Sequence, residues 1–446
     1  MRPTYQTINP ASGQLLQTFA HLSDHAVDMH IDQASLAFRG WRNEELNHKS
    51  EVLRKAADIL EHNAENYGAL MELEMGKPAA QGVAESKKCA LTCRFYADHA
   101  EKFLTPENRQ TDSNKSLVRF EPLGPILAIM PWNFPFWQVF RVAAPNLMAG
   151  NVILLKHAEN VPQCALAIEA IFAEAGLLKG AFQSLFATHE QVATIIADPR
   201  IRGVTLTGSS RAGAQVGTIA GQHLKKTVME LGGSDAFIVF DDCDVEAAVE
   251  AGVTSRCLNN GQSCIAAKRF FVQAGVAKTF MAGFVPRMRA QDTGPLATKK
   301  QQQLLSDQVE DAKRKGATVL CGGEMPNGEG CFYPPSILIN VTPDMRAFHE
   351  ELFGPVAVVH QFFTDEEVVT LANGSQFGLG ANLWTKNAKR IEMLTRELEA
   401  GSVFVNDYVR SDPRLPFGGV KGSGHGRELG VLGMREFVNI KTVWIK

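Results

Sequence analysis

Residues 203–213 read Gly-Val-Thr-Leu-Thr-Gly-Ser-Ser-Arg-Ala-Gly. A β-branched, apolar run passes through a short polar turn into a segment with helical spacing. A strand without alternation is one buried on both faces, and a strand that feeds a helix in this way belongs to a parallel sheet covered by helices. The pattern recurs outward in both directions. Residues 124–130 (Gly-Pro-Ile-Leu-Ala-Ile-Met) and 151–155 (Asn-Val-Ile-Leu-Leu) read as strands before it, and 236–240 (Ala-Phe-Ile-Val-Phe) and 356–363 after it. Helical spacing fills 163–175, 191–197, 211–225 and 245–258, and the first hundred residues add 23–37 and 49–73. The alternation predicts an α/β architecture.

The 446-residue chain has room for two to four domains at about 100–200 residues each. Its 45 basic and 48 acidic residues leave a net charge of −3, which gives no electrostatic reason to expect nucleic acid or an anionic membrane as partner. The first residues lack the apolar run of a signal peptide. The longest apolar region, 125–145, is broken by Pro131, Asn133, Pro135, Gln138 and Arg141 and predicts no spanning helix. Eight cysteines in a chain of this size read as reduced thiols, hence a cytoplasmic protein. Cys89 and Cys93, four apart, fall on one helix face without a partner motif. Packing is the expectation there, and no metal site is expected. The strand-like tail 439–446 needs cover, either from another subunit or from its own; the sequence leaves both open.

Six short motifs can carry chemistry. Cys264, in Gly261-Gln262-Ser263-Cys264, follows a glycine turn after a helix; it is a nucleophile if it is accessible and near a base, and core packing otherwise. Glu230, before Gly232-Gly233, is a candidate base whose proton affinity burial would raise. Asn133 sits in Pro131-Trp132-Asn133-Phe134-Pro135, where its amide either fastens a loop or donates to a developing oxyanion. Gly208 and Ser209 open a helix directly after a strand, a place where backbone N–H groups attract phosphate. Lys156 and Glu159 end the strand that begins near Asn151 and are placed to grip ribose hydroxyls, or simply to pair in solvent. Glu351 and Phe353 lie in Glu350-Glu351-Leu352-Phe353-Gly354-Pro355, which also reads as a plain turn.

In this order and at these separations the set resembles the aldehyde dehydrogenase superfamily, from Ile8-Asn9-Pro10 to the carboxyl end. Glu230-Leu231-Gly232-Gly233, the Cys264 segment and Pro416-Phe417-Gly418-Gly419-Val420-Lys421-Gly422-Ser423-Gly424 are its most specific parts. The short bacterial succinate-semialdehyde dehydrogenases are the most similar branch, on Leu155-Lys156-His157-Ala158, Cys264-Ile265-Ala266-Ala267-Lys268-Arg269-Phe270 and residues 411–419.

The resemblance implies two Rossmann-like parallel-sheet domains and a small β oligomerisation domain. The NAD-binding domain would comprise 1–102 and 124–231, the catalytic domain 232–420, and the oligomerisation domain 103–123 and 421–446. It implies oxidation of an aldehyde through a thioester on Cys264, an oxyanion site at Asn133 and Glu230 as base for hydrolysis. Gly208 and Ser209 would lie at the pyrophosphate, Lys156 and Glu159 at the adenosine ribose, Glu351 at the nicotinamide ribose. Trp132 and Phe353 would line the cofactor channel. Arg141, eight residues after Asn133, or two helical turns on, would take the distal carboxylate of succinate semialdehyde, with Ser411 as a second contact. A second arginine, carried by some members six residues before the nucleophile, is here Leu258. Glu159, an anion where a 2′-phosphate would sit, leads to the expectation of NAD over NADP. His157, where the superfamily commonly has proline, has no assigned role. A homodimer or homotetramer is implied. The rivals are a broader aldehyde dehydrogenase in which Arg141 is structural, a CoA-acylating member, disfavoured because Glu230 is present, and a non-catalytic relative of the fold.

Overall fold

The computed structural model describes residues 4–446. Gly203–Thr207, buried at every position, lies inside a six-stranded sheet. The order is Gly424–His425, Lys226–Glu230, Gly203–Thr207, Pro125–Met130, Val152–His157, Phe182–Ser184. All neighbours are parallel except Gly424–His425, which runs antiparallel to Lys226–Glu230. From Pro125–Met130 the chain first builds outward through Val152–His157 to Phe182–Ser184, then crosses back to Gly203–Thr207 on the other side. The crevice beyond the carboxyl ends of Pro125–Met130 and Gly203–Thr207 is therefore a topological switch point, the place where such sheets bind ligands.

A second, seven-stranded sheet runs Thr318–Cys321, Ser336–Ile339, Val356–Phe362, Ala267–Gln273, Asp235–Val239, Gly380–Trp384, Ser402–Val405. Only its first pair is antiparallel. A third sheet joins Val438–Ile445, Lys115–Pro122 and Glu107–Arg109 in antiparallel register.

Two regions differ from the sequence reading. The span 49–73 is not one helix but two, Leu46–His62 and Ala64–Met75, broken at Asn63 (φ −100°, ψ 16°). The break turns the second helix so that both pack against the long helix Ala79–Leu104. The apolar region 125–145 is a strand, a turn and the start of Trp137–Ala149, a helix buried at all thirteen positions. No described helix is long and apolar enough to cross a membrane.

The tail strand Val438–Ile445 pairs with Lys115–Pro122 of its own chain at eight successive positions. Its other edge takes no strand among the described residues, and Ile440 and Trp444 stand 61% and 54% exposed.

Candidate active site

The switch-point crevice is where the motifs meet. Trp132 and Asn133 follow the strand Pro125–Met130, and Gly208 and Ser209 follow Gly203–Thr207. Asn133 is in a turn, not on the helix Trp137–Ala149. The two-turn spacing argument for Asn133 and Arg141 therefore does not hold, because helical geometry begins only at Trp137.

Cys264 is reached through the 3-10 turn Leu258–Gly261, in which Asn259 and Asn260 take left-handed φ of 54° and 57°. Buried donors hold the strained loop. Arg256 Nη2 donates to the Gly261 carbonyl at 2.6 Å, and Lys268 Nζ donates to the carbonyls of Ser263 and Cys264, each at 2.8 Å. The backbone of Gly233 lies so close that a Cβ there would sit 2.5 Å from the Cys264 carbonyl oxygen. Asn133 Nδ2 donates to the Gln262 carbonyl at 3.1 Å, and Asn259 Nδ2 donates to the Asn133 carbonyl at 2.6 Å. Of the eight cysteines only Cys264 is not buried; Cys89 and Cys93 are core residues. Its low-dielectric setting pushes the resting thiol up to about 12, against the pull of Arg141 and Lys268.

The Asn133 turn is pinned at both ends. His157 Nε2 lies 2.9 Å from the Pro135 carbonyl, while its Nδ1 accepts the Ala158 N–H at 2.9 Å. Nδ1 lies farther, at 3.2 Å, from the Met130 carbonyl, so the shorter bonds favour the proton on Nε2, and burial holds the ring neutral by lowering its pKa to about 4. Glu85 Oε1 accepts the N–H groups of Phe136 and Trp137, both at 2.9 Å, a carboxylate at a helix N-terminus. The other oxygen of Glu85 pairs with the fully buried Lys77, whose ammonium lies 3.6 Å from the centre of the Phe134 ring. Glu85→Ala therefore leaves a buried ammonium without its partner. The expected loss is about 3–5 kcal/mol, to be read from chemical denaturation; a loss under about 1 kcal/mol would show that the pair does not hold this turn.

Glu230 ends the strand Lys226–Glu230 and is buried, with no hydrogen-bond partner for either carboxylate oxygen among the described residues. Gly418 (φ 154°) approaches closely enough that a Cβ there would lie 2.7 Å from Glu230 Oε1. Burial, and then the facing carboxylate of Glu428, push the Glu230 pKa well above the usual carboxylate range. Glu428 forms a buried ion pair with Arg141, whose Nη2 also donates to Thr207 Oγ1 at 3.2 Å. Arg141 nevertheless lines a cavity of about 330 Å³ with Cys264, Lys88, Trp137, Leu258 and Ser411.

On the other side of Cys264, Glu351 lies 3.2 Å from Lys268 Nζ and accepts the Gly233 N–H at 3.2 Å. The Trp132 and Phe353 rings meet edge to face at 5.6 Å. Ser209 caps the helix Ser210–Gln222 through the Ala212 N–H. Lys156 is buried, and burial lowers its pKa; its ion-pair partner is Glu159, at 3.7 Å. A buried ammonium at the end of one strand and a helix N-terminus after another fit the polar end of a dinucleotide, and the aromatic pair fits a flat ring. Among the described residues no group of three His, Cys, Asp or Glu is placed to hold a metal ion.

The Aldehyde dehydrogenase family model matches residues 2–443. The chain belongs to the aldehyde dehydrogenase family. A protein of Synechocystis sp. named probable succinate-semialdehyde dehydrogenase [NADP(+)] is 51% identical, covering 98% of this chain and 99% of its own. Succinate-semialdehyde dehydrogenase [NADP(+)] 1 of Mycobacterium bovis is 47% identical with the same coverage. The crystal structure of succinic semialdehyde dehydrogenase from Streptococcus pyogenes in complex with NADP+ superposes with a TM-score of 0.96 at 36% identity, over 99% of both chains. This aldehyde dehydrogenase is thus an NAD(P)-dependent enzyme of α/β fold.

These relatives overturn the expectation of NAD over NADP: two are named for NADP(+), and the third holds it. The reason lies in the setting of Glu159. Its side chain is 42% exposed and stands 3.7 Å from both Lys156 Nζ and His189 Nδ1. Water and a neighbouring cation offset its charge, so it is no isolated anion set against a 2′-phosphate.

Sequence reading missed Glu428, Lys88, Lys268 and the pinning role of His157. Lys268, four residues after Cys264, was the one within local reach.

Proposed function

We propose that the chain oxidises succinate semialdehyde to succinate with NADP+. The observation that carries this is the single cavity shared by Cys264, Arg141 and Ser411: a sulfur at one place and a guanidinium at another suit an aldehyde that ends in a carboxylate. In this reading the Cys264 thiol first gives its proton to solvent and the thiolate adds to the aldehyde carbon; the carbonyl oxygen, now negative, is held by Asn133 Nδ2 and the Cys264 N–H. A dinucleotide, when bound, would supply the acceptor for the hydride that the adduct loses in becoming a thioester on Cys264. Glu230 then takes a proton from water, whose oxygen attacks the thioester carbon; the carboxylic acid leaves and the sulfur is returned. Arg141 holds the distal carboxylate, with Ser411 beside it. Lys156 and Glu159 would hold the adenosine ribose, Gly208 and Ser209 the pyrophosphate, Glu351 the nicotinamide ribose, and Trp132 and Phe353 would line the channel.

The same reading assigns 1–102 and 124–231 to nucleotide binding, 232–420 to catalysis, and 103–123 with 421–446 to oligomerisation. A homodimer or homotetramer is supported by the open edge and exposed side chains of Val438–Ile445. Eight unpaired cysteines support a reducing, cytoplasmic setting.

The test is the formation of reduced nicotinamide at 340 nm with succinate semialdehyde, glutarate semialdehyde and butanal, each with NADP+ and NAD+. Succinate semialdehyde is expected to exceed butanal in kcat/KM by roughly 10-fold or more, the discrimination of one charged hydrogen bond. Equal values would remove the substrate assignment and leave a broader aldehyde dehydrogenase.

A further inference from the structure

Leu258 lines the Cys264 cavity and brings no charge. A different segment supplies a cation to the same space. Lys88, on the helix Ala79–Leu104, lines the cavity with Arg141, Ser411 and Cys264. Its Nζ donates to Ser411 Oγ at 2.8 Å and lies 4.0 Å from the centre of the Trp137 ring.

Lys88 has no carboxylate within ion-pair distance among the described residues, and the acids around it are engaged elsewhere. Glu85, one turn before it, is bound to Lys77 and to the Phe136 and Trp137 N–H groups. Asp412 is paired with Arg414 at 2.6 Å. The other two cations of the cavity are also paired, Arg141 with Glu428 and Arg410 with Asp407. A half-buried ammonium without a counter-ion is costly. Here it faces an open cavity beside a hydroxyl and an aromatic ring, the surroundings of an anion site awaiting its anion.

We propose that Lys88, together with Ser411, is the second cationic anchor for the distal carboxylate of the substrate. The assignment rests on the ω-carboxy aldehyde reading given above and deepens it. The carboxylate then bridges Lys88, which has no counter-ion, and Arg141, whose charge Glu428 already offsets. The titratable and charged groups around Lys88 are Cys89 and Glu85 of its own helix, Arg141 of the helix Trp137–Ala149, Cys264, and Tyr408, Arg410 and Asp412 of the loop around Ser411. Burial, with Arg141 adding to it, lowers the ammonium to about 8. The anchor is therefore charged below that pH and lost above it, whereas a guanidinium does not titrate in this range.

The test compares kcat/KM for succinate semialdehyde and butanal, with NADP+, in the parent chain, Lys88→Met and Lys88→Arg. The ratio of the two values cancels anything done to Cys264 or to cofactor binding. Lys88→Met is expected to lower this ratio roughly 10- to 100-fold, through KM for succinate semialdehyde rather than kcat, and Lys88→Arg to restore most of it. In the parent chain the ratio should fall as pH rises past about 8. A folded Lys88→Met with the parent's ratio would overturn the anchor. If that variant does not fold, a parent ratio that stays flat between about pH 7 and 9.5 does so instead. A parent chain without preference for succinate semialdehyde at any pH sinks the substrate reading itself, and the two failures are thereby told apart.

Discussion

Cys264→Ala is expected to fold like the parent chain and to produce no reduced nicotinamide above background with any aldehyde, a loss of roughly 10⁴-fold or more for removal of a nucleophile. The sulfur does not hold the fold together, since it is the one cysteine outside the buried set. The loop around it is fastened by Arg256, Lys268 and Asn259 through backbone carbonyls, and none of these bonds uses the thiol. Alkylation by iodoacetamide gives an independent check. The other seven cysteines are buried, so the first equivalent should go to Cys264 with parallel loss of activity. With the resting thiol near 12, the thiolate fraction, and with it the alkylation rate, should climb about tenfold per pH unit between roughly pH 7 and 9. A rate that levels off near neutrality would mean that the resting protein already holds a thiolate. Undiminished turnover by Cys264→Ala would remove the thioester reading altogether.

What the sequence could disclose follows from the range of the forces involved. Gly203–Thr207 is legible because burial on both faces imposes an unbroken apolar run on five adjacent residues. The catalytic candidates are legible because each sits in a short segment of unusual composition. The partners that tune them are not. Arg141 meets Glu428 far along the chain, and Lys88 meets Ser411 across 323 positions; no local window contains both members of either pair. Lys88 is moreover one of two adjacent lysines on a helix, a pattern that ordinarily means a solvated face, and only the packing of Ala79–Leu104 against Trp137–Ala149 turns it inward. The break at Asn63 is hidden for a similar reason: apolar spacing continues across it, and the bend answers to a third helix. Glu159 shows the opposite error: its solvated pairing with Lys156 is legible locally, yet its charge is weighed against a 2′-phosphate as if it stood alone.

Glu230→Gln should separate the two halves of the reaction. Acylation uses Cys264 and Asn133, so the first turnover should survive as a burst of about one reduced nicotinamide per site. Hydrolysis needs a base, and its loss should slow the steady state roughly 10²- to 10⁴-fold. A variant with the parent's steady-state rate would take the base role from Glu230; loss of the burst as well would move its role to the first step. The same substitution carries a stability signature fixed by sign. Burial and Glu428 raise the Glu230 pKa in the folded chain, so the folded state binds more protons than the unfolded one between the ordinary carboxylate value and the raised one. Stability must then fall as pH rises through that window. Glutamine cannot ionise, so part of this slope should vanish and the variant should gain stability relative to the parent above about pH 5. The gain arises because neither Glu230 oxygen has a partner to lose, while the Glu428–Arg141 pair stays intact. A carboxylate without a hydrogen bond, kept beside a second carboxylate, weakens the fold; the proton affinity it acquires there is what lets it take a proton from water near neutral pH.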